Sequence, residues 1–166
     1  GMNRSFLAED WTNLIPRKHW YNALEEAQDL VHMEESLDLQ GYDIDPEVVK
    51  NARENAAAAG VDHLIHFQQR EVEKLRHPKK YGFIITNPPY GERLEEKEAL
   101  PKLYKEFGDA FKNLDSWSAY MITSYEEAER YFGRKADKNR KIYNGMLKTY
   151  FYQFMGPKPP KRDNFH

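Results

Sequence analysis

Residues 83–94 read FIITNPPYGERL, an apolar run cut off by two consecutive prolines. A proline lacks a backbone N–H and holds φ at about −65°, so neither Pro88 nor Pro89 belongs inside a sheet. Asn87, which precedes a proline, is biased toward an extended backbone. The run 81–86 is therefore expected to be a strand whose C-terminal end opens onto a stiff corner. That corner offers no proline N–H to compete for a ligand. The Asn87 side-chain oxygen and the Pro88 carbonyl can each accept one N–H of a planar NH2 group, which aims the nitrogen lone pair at a partner. Tyr90 adds a flat face on which an extruded base can stack, worth roughly 1–3 kcal/mol. The alternative is an ordinary proline turn. The complete tetrapeptide behind F-I-I-T favours the ligand-presenting loop.

The rest of the chain alternates helix and strand signals, without repeats or low-complexity stretches. Trp20, Leu24, Ala27 and Val31 recur at helical spacing in 16–35, opened by Pro16. A short strand is expected over 37–42. Asp45 can cap the next helix with Pro46 in its first turn; Val49, Ala52, Ala56 and Ala59 share a face, and Gly60 can end it. Residues 63–69 read as a strand and 97–113 as a helix, with Leu100, Leu103, Tyr104, Phe107, Ala110, Phe111 and, just past its end, Leu114 near a 3.6 period. A strand over 118–124 and a short helix over 125–132, closed by Gly133, follow. Residues 140–144 and 147–154 flank Asn144-Gly145, a strong hairpin signal. Alternating βα units before a terminal hairpin indicate an α/β fold, its sheet mostly parallel with a C-terminal antiparallel hairpin. In open sheets of this kind ligands bind at C-terminal strand ends. Asp43 in G-Y-D-I-D stands at such an end, where a carboxylate can accept hydrogen bonds from both hydroxyls of a ribose. Ile44 can pack on an adenine face, and Asp45 is better placed as a helix cap.

Composition narrows the classes. An apolar fraction of 40% and an aromatic fraction of 14% support a folded core in 166 residues, despite a mean hydropathy of −0.91. The sequence holds no cysteine, which removes disulfides and thiolate metal sites and fits a reducing cytoplasm. It has no apolar run near 18 residues and no signal-peptide pattern, so no membrane partner is expected. Its six histidines fall at no metal-ligand spacing, and no metal is expected. The net charge of −2 is unevenly spread: residues 133–162 hold nine Lys or Arg against one acid, Asp137. Such a segment suits phosphate contact, and a solvated hairpin and tail explains it equally well.

N-P-P-Y after a hydrophobic strand resembles motif IV of the amino-methylating class I S-adenosylmethionine-dependent methyltransferases. The longer N-P-P-Y-G-E-R-L, with an opening N-R-S-F-L-A-E-D-W, is similar to the bacterial large-subunit ribosomal RNA guanine-N2 methyltransferases, some of which are described as N6-adenine methylases. The likeness runs from Asn3 to about Gly156. It implies a Rossmann-like sheet, S-adenosyl-L-methionine as cofactor, and methylation of an exocyclic amine, guanine N2 of ribosomal RNA before others. Adenine N6 and a protein glutamine amide use the same tetrapeptide, and a non-enzymatic binding module remains a further alternative. The resemblance gives Asn87, Pro88, Pro89 and Tyr90 the catalytic loop and Asp43 the ribose. It places Glu71, with Val72 beside it, where relatives recognise the adenine amino group; here the chain has Gln-Arg-Glu-Val where many relatives have Gly-Asp-Ala, and a plain surface glutamate fits as well. Arg93 is a candidate for RNA phosphate or for a structural ion pair.

Class I members hold the methionine moiety on a Gly-rich loop after their first strand, in a pattern like D-P-x-C-G-S-G-T. The nine glycines here are all isolated. Residues 1–156 are thus expected to form an incomplete catalytic domain lacking the first strand and that loop, and 157–166 a flexible basic, proline-rich tail. The partners implied are ribosomal RNA and a preceding part of the same protein, including a THUMP domain. Two open ladder edges are expected where the first strand would lie.

Overall fold

The computed structural model describes residue 5 and residues 7–31, 37–91 and 94–161. It divides into two compact units, Gly1–Gln69 and Arg70–His166.

The first unit holds α1 (Arg17–Asp29), β1 (Leu39–Asp43), α2 (Pro46–Ala58) and β2 (Ile65–Gln69). The strands pair in parallel, Leu39 opposite Ile65 through Asp43 opposite Gln69, with α2 as the crossover. The start of α2 is written locally: Asp45 accepts the Glu47 N–H at 2.9 Å and Pro46 occupies the first turn. Its end is also local, with Gly60 at φ +72°. Val49 and Ala56 are buried, and Arg53 Nη2 reaches the Phe67 carbonyl at 2.8 Å. Gly41 is required by close approach, since a Cβ there would meet the ring of Phe67, its partner across the ladder, at 2.7 Å. The helix expected over 16–35 forms as α1, shorter; residues 32–36 lie outside the described ones. Its apolar stripe is not buried: Leu24 and Val31 stay exposed and Trp20 is half-buried.

The second unit contains β3 (Phe83–Thr86), α3 (Leu94–Lys112), β4 (Ser118–Thr123), α4 (Ala128–Phe132), β5 (Lys138–Asn144) and β6 (Leu147–Phe154). Its sheet runs in the order β3-β4-β6-β5, with β3 parallel to β4 and the last two pairings antiparallel. The expected terminal hairpin is there. Its turn is centred one residue later than the Asn-Gly pair suggests, on Gly145 and Met146, because Asn144 pairs with Leu147. Gly145 has φ +63°, the left-handed first position of a type II′ turn.

One face of this sheet carries the core. Ala119, Met121 and Thr123 of β4 and Tyr152 and Phe154 of β6 are buried there with Leu100, Tyr104, Phe107 and Phe111 of α3 and Phe132 of α4. The other face carries a row of rings, Phe83 to Tyr120 at 6.2 Å and Tyr120 to Phe151 at 6.1 Å. Phe83 and Ile85 on it are 65% and 83% exposed. Among the described residues β1 and β2 pair only with each other and β3 only with β4, so both strands of the first ladder and β3 of the second keep one side without a partner strand.

Gly108 decides how closely α3 approaches α4, for a Cβ there would lie 2.0 Å from the Phe132 carbonyl oxygen. Gly108→Ala should therefore destabilise the protein by about 1–3 kcal/mol, despite alanine's advantage of roughly 1 kcal/mol in helix propensity. Urea unfolding followed by circular dichroism checks the sign.

Candidate functional site

The strand β3 ends at Thr86, and Asn87-Pro88-Pro89-Tyr90 leaves the sheet at its C-terminal end, as the prolines require. Gly91 turns the chain at φ +82° and is buried; a Cβ there would crowd Leu100 Cδ1 at 3.0 Å and Lys97 Cγ at 2.8 Å. Pro101 lies inside α3 without an N–H to give the preceding turn.

The underside of the loop is tied to the core. Tyr104, 1% exposed, gives its hydroxyl to the Pro89 carbonyl at 3.1 Å and lies 2.6 Å from Thr123 Oγ1. Thr123, fully buried at the end of β4, also accepts the Tyr125 backbone N–H at 3.0 Å. Burial pushes the Tyr104 phenol up to about 12, with the Thr123 hydrogen bond opposing that shift and neighbouring phenols adding to it. The Tyr104 ring also meets that of Tyr125 at 5.0 Å, tilted by 56°.

The upper side is different. The Asn87 side chain is exposed, and neither it nor the Pro88 carbonyl makes a hydrogen bond to a described residue. Tyr90 is half-buried. The loop thus keeps the Pro89 carbonyl occupied and leaves the Asn87 and Pro88 oxygens open as acceptors.

In the first unit, Asp43 closes β1 as expected. Its Oδ1 accepts the Asp45 N–H at 2.9 Å, which shapes the turn into α2, while Oδ2 has no partner among the described residues. Asp45 is the helix cap. Ile44 is 64% exposed, and its carbonyl is held by Gln69 Nε2 at 3.0 Å.

Glu71 lies in the second unit, exposed just after β2. A hydrogen bond from Lys74, whose ammonium stands 3.3 Å away, holds its carboxyl below the usual carboxylate range. Val72 packs against the core cluster instead of standing open. Arg93 lies outside the described residues. Of the basic segment, Lys138, Arg140 and Lys141 are exposed along β5, whereas Arg134 is engaged with Asp137 and the Met155 carbonyl, both at 2.8 Å. Sequence reasoning missed the roles of Tyr104 and Thr123. The available signal was the tyrosine in an otherwise apolar helical stripe, since a buried phenol needs a partner.

The family described as the RMKL-like methyltransferase domain (UPF0020) matches residues 5–153. YpsC of Bacillus subtilis, provisionally named an RNA methyltransferase, is 44% identical over 98% of this chain and 42% of its own length. The ribosomal RNA large subunit methyltransferase K/L of Cellvibrio japonicus is 35% identical over 70% of this chain and 16% of its own. The solved structure of SMU.472, provisionally named a methyltransferase and crystallised with SAH, superposes with a TM-score of 0.85 at 38% identity, covering 96% of this chain and 42% of that one. The chain spans less than half the length of the curated relatives it matches.

Two buried phenols should be visible in the pH dependence of stability. Burial raises Tyr104 and Tyr152 from 10.0 to about 12. The folded state then keeps protons that the unfolded chain releases, so this contribution is complete below pH 10 and is lost as pH rises toward 12. Denaturation midpoints measured across that window should fall, and less steeply in Tyr104→Phe.

Proposed function

The chain belongs to the RMKL-like methyltransferase domain family, and from that premise we propose that it is part of an S-adenosylmethionine-dependent enzyme that methylates an exocyclic amino group, guanine N2 of large-subunit ribosomal RNA. The observation that carries this is the division within the loop: the Asn87 side chain and the Pro88 carbonyl make no hydrogen bond to a described residue, while the Pro89 carbonyl accepts one from Tyr104. An exocyclic amine conjugated to a ring is a poor nucleophile because its lone pair is delocalised. Two acceptors on its two N–H bonds hold the nitrogen so that the lone pair faces the methyl donor, and the enzyme gains rate through alignment. No strong general base is required, since the amine becomes acidic once its nitrogen has begun to bond to carbon. Tyr90 stacks the base that the loop receives.

S-adenosylmethionine, when bound, supplies the methyl group on a positively charged sulfur, which makes that carbon electrophilic. The residues present suit its nucleoside end. Asp43 has a carboxylate oxygen without a partner among the described residues, and Ile44 an exposed apolar side chain. Glu71 and Val72 are proposed at the adenine on the resemblance alone. The large-subunit ribosomal RNA methyltransferases among the relatives and the exposed cations of β5 support an RNA substrate, while guanine N2 rests on the resemblance of N-P-P-Y-G-E-R-L alone. A catalytic domain over 1–156 with a tail over 157–166, a Gly-rich loop and THUMP domain elsewhere in the protein, and a cytoplasmic location complete the proposal.

Two variants in the product of the complete reading frame separate the roles. Asn87→Ala should lower turnover about 100-fold while leaving cofactor affinity in calorimetric titration unchanged. Asp43→Ala should weaken the cofactor about 10- to 100-fold, the loss expected for charge-assisted hydrogen bonds. Normal turnover in Asn87→Ala would reject the assignment of the loop.

A further inference from the structure

We propose that Tyr104 and Thr123 form a directed hydrogen-bond relay that positions the N-P-P-Y loop for catalysis, so that Tyr104 is a positioning residue of this reaction. The inference rests on the loop assignment above. Counting protons fixes the direction of the relay. The Pro89 carbonyl can only accept, so the 3.1 Å contact uses the single Tyr104 O–H proton. The 2.6 Å contact between the two hydroxyls must then use the Thr123 proton, given to the Tyr104 oxygen. Thr123 Oγ1 in turn accepts the Tyr125 N–H, which can only donate, at 3.0 Å. The order Tyr125 N–H, Thr123 O–H, Tyr104 O–H, Pro89 carbonyl leaves no proton unassigned, and each bond polarises the next.

The relay joins three elements to one carbonyl: the middle of α3, the end of β4 and the turn that follows β4. All three lie in the second unit, and both hydroxyl-bearing residues are buried. Two prolines already stiffen the corner internally, so the remaining freedom is its tilt against the sheet. Tyr104 sets that tilt by fixing the carbonyl two residues after Asn87. With the Pro89 oxygen held inward, the oxygens of Asn87 and Pro88 are the ones left to a substrate. Burial that keeps Tyr104 protonated until about pH 12 keeps the donor in place throughout the working range. A core phenol with a merely structural role needs one partner; here the partner is the loop itself, and Thr123 dictates which way the phenol proton points.

The test uses the product of the complete reading frame, labelled S-adenosylmethionine, and large-subunit ribosomal RNA from cells lacking the gene. Tyr104→Phe should lower kcat about 10- to 100-fold with KM for both substrates nearly unchanged, the signature of misplacement without lost binding. Thr123→Val should lower kcat less, about 3- to 10-fold, and Thr123→Ser, which keeps the hydroxyl, should restore it. In carbonyl-labelled protein the Pro89 carbon resonance should move upfield in Tyr104→Phe. Asn87→Ala is the reference. If it lowers turnover as expected while Tyr104→Phe and Thr123→Val both keep wild-type kcat, the relay has no positioning role and the loop assignment stands. If Asn87→Ala itself turns over normally, the loop assignment fails and the relay fails with it. Should Tyr104→Phe not fold, the contrast between Val and Ser at position 123 decides the matter alone.

Discussion

The burial of α3 against β4 and β6 is the constraint on which the second unit depends. Leu100, Tyr104, Phe107 and Phe111 bring one helical face onto Ala119, Met121, Tyr152 and Phe154, and burying side chains of this size is worth roughly 1.5–3 kcal/mol each. That apolar association carries a polar pair inside with it. Tyr104 and Thr123 satisfy each other and the Pro89 carbonyl, so the cost of burying two hydroxyls is offset beneath the N-P-P-Y loop. The same packing that makes the core therefore sets the loop. Helix α3 reaches this position only because Gly91 turns the chain into it and Gly108 lets it close on α4.

Local chemistry was legible in the sequence wherever one or two residues determine a structure. Asp45 with Pro46 announces α2, Gly60 and Gly133 end helices in the left-handed region, and the prolines end β3. Boundaries set by distant contacts were less legible. Helix α3 begins at Leu94 and not 97, and α4 at Ala128 and not 125. The hairpin turn moved by a residue because strand pairing, not the Asn-Gly pair, fixes register.

The residues of the candidate site divide on the same terms. Asn87, Pro88, Pro89 and Tyr90 stand together in the chain, and the stiffness of their corner follows from proline itself. Asp43 could be separated from Asp45 because one of them had to cap a helix, and the 2.9 Å bond from the Glu47 N–H shows that it is Asp45. The Tyr104–Thr123 contact links residues 19 positions apart on a helix and a strand. At helical spacing a tyrosine reads as core, and no local pattern names its partner. The Lys74 pairing of Glu71 was equally invisible until the short turn at 72–74 brought them together.

Which nitrogen receives the methyl group is read from the reaction product. Large-subunit ribosomal RNA incubated with labelled S-adenosylmethionine and the product of the complete reading frame should be digested to nucleosides and resolved by mass spectrometry. Label should appear in N2-methylguanosine. Label in N6-methyladenosine, in a protein glutamine, or in no product at all would overturn the assignment.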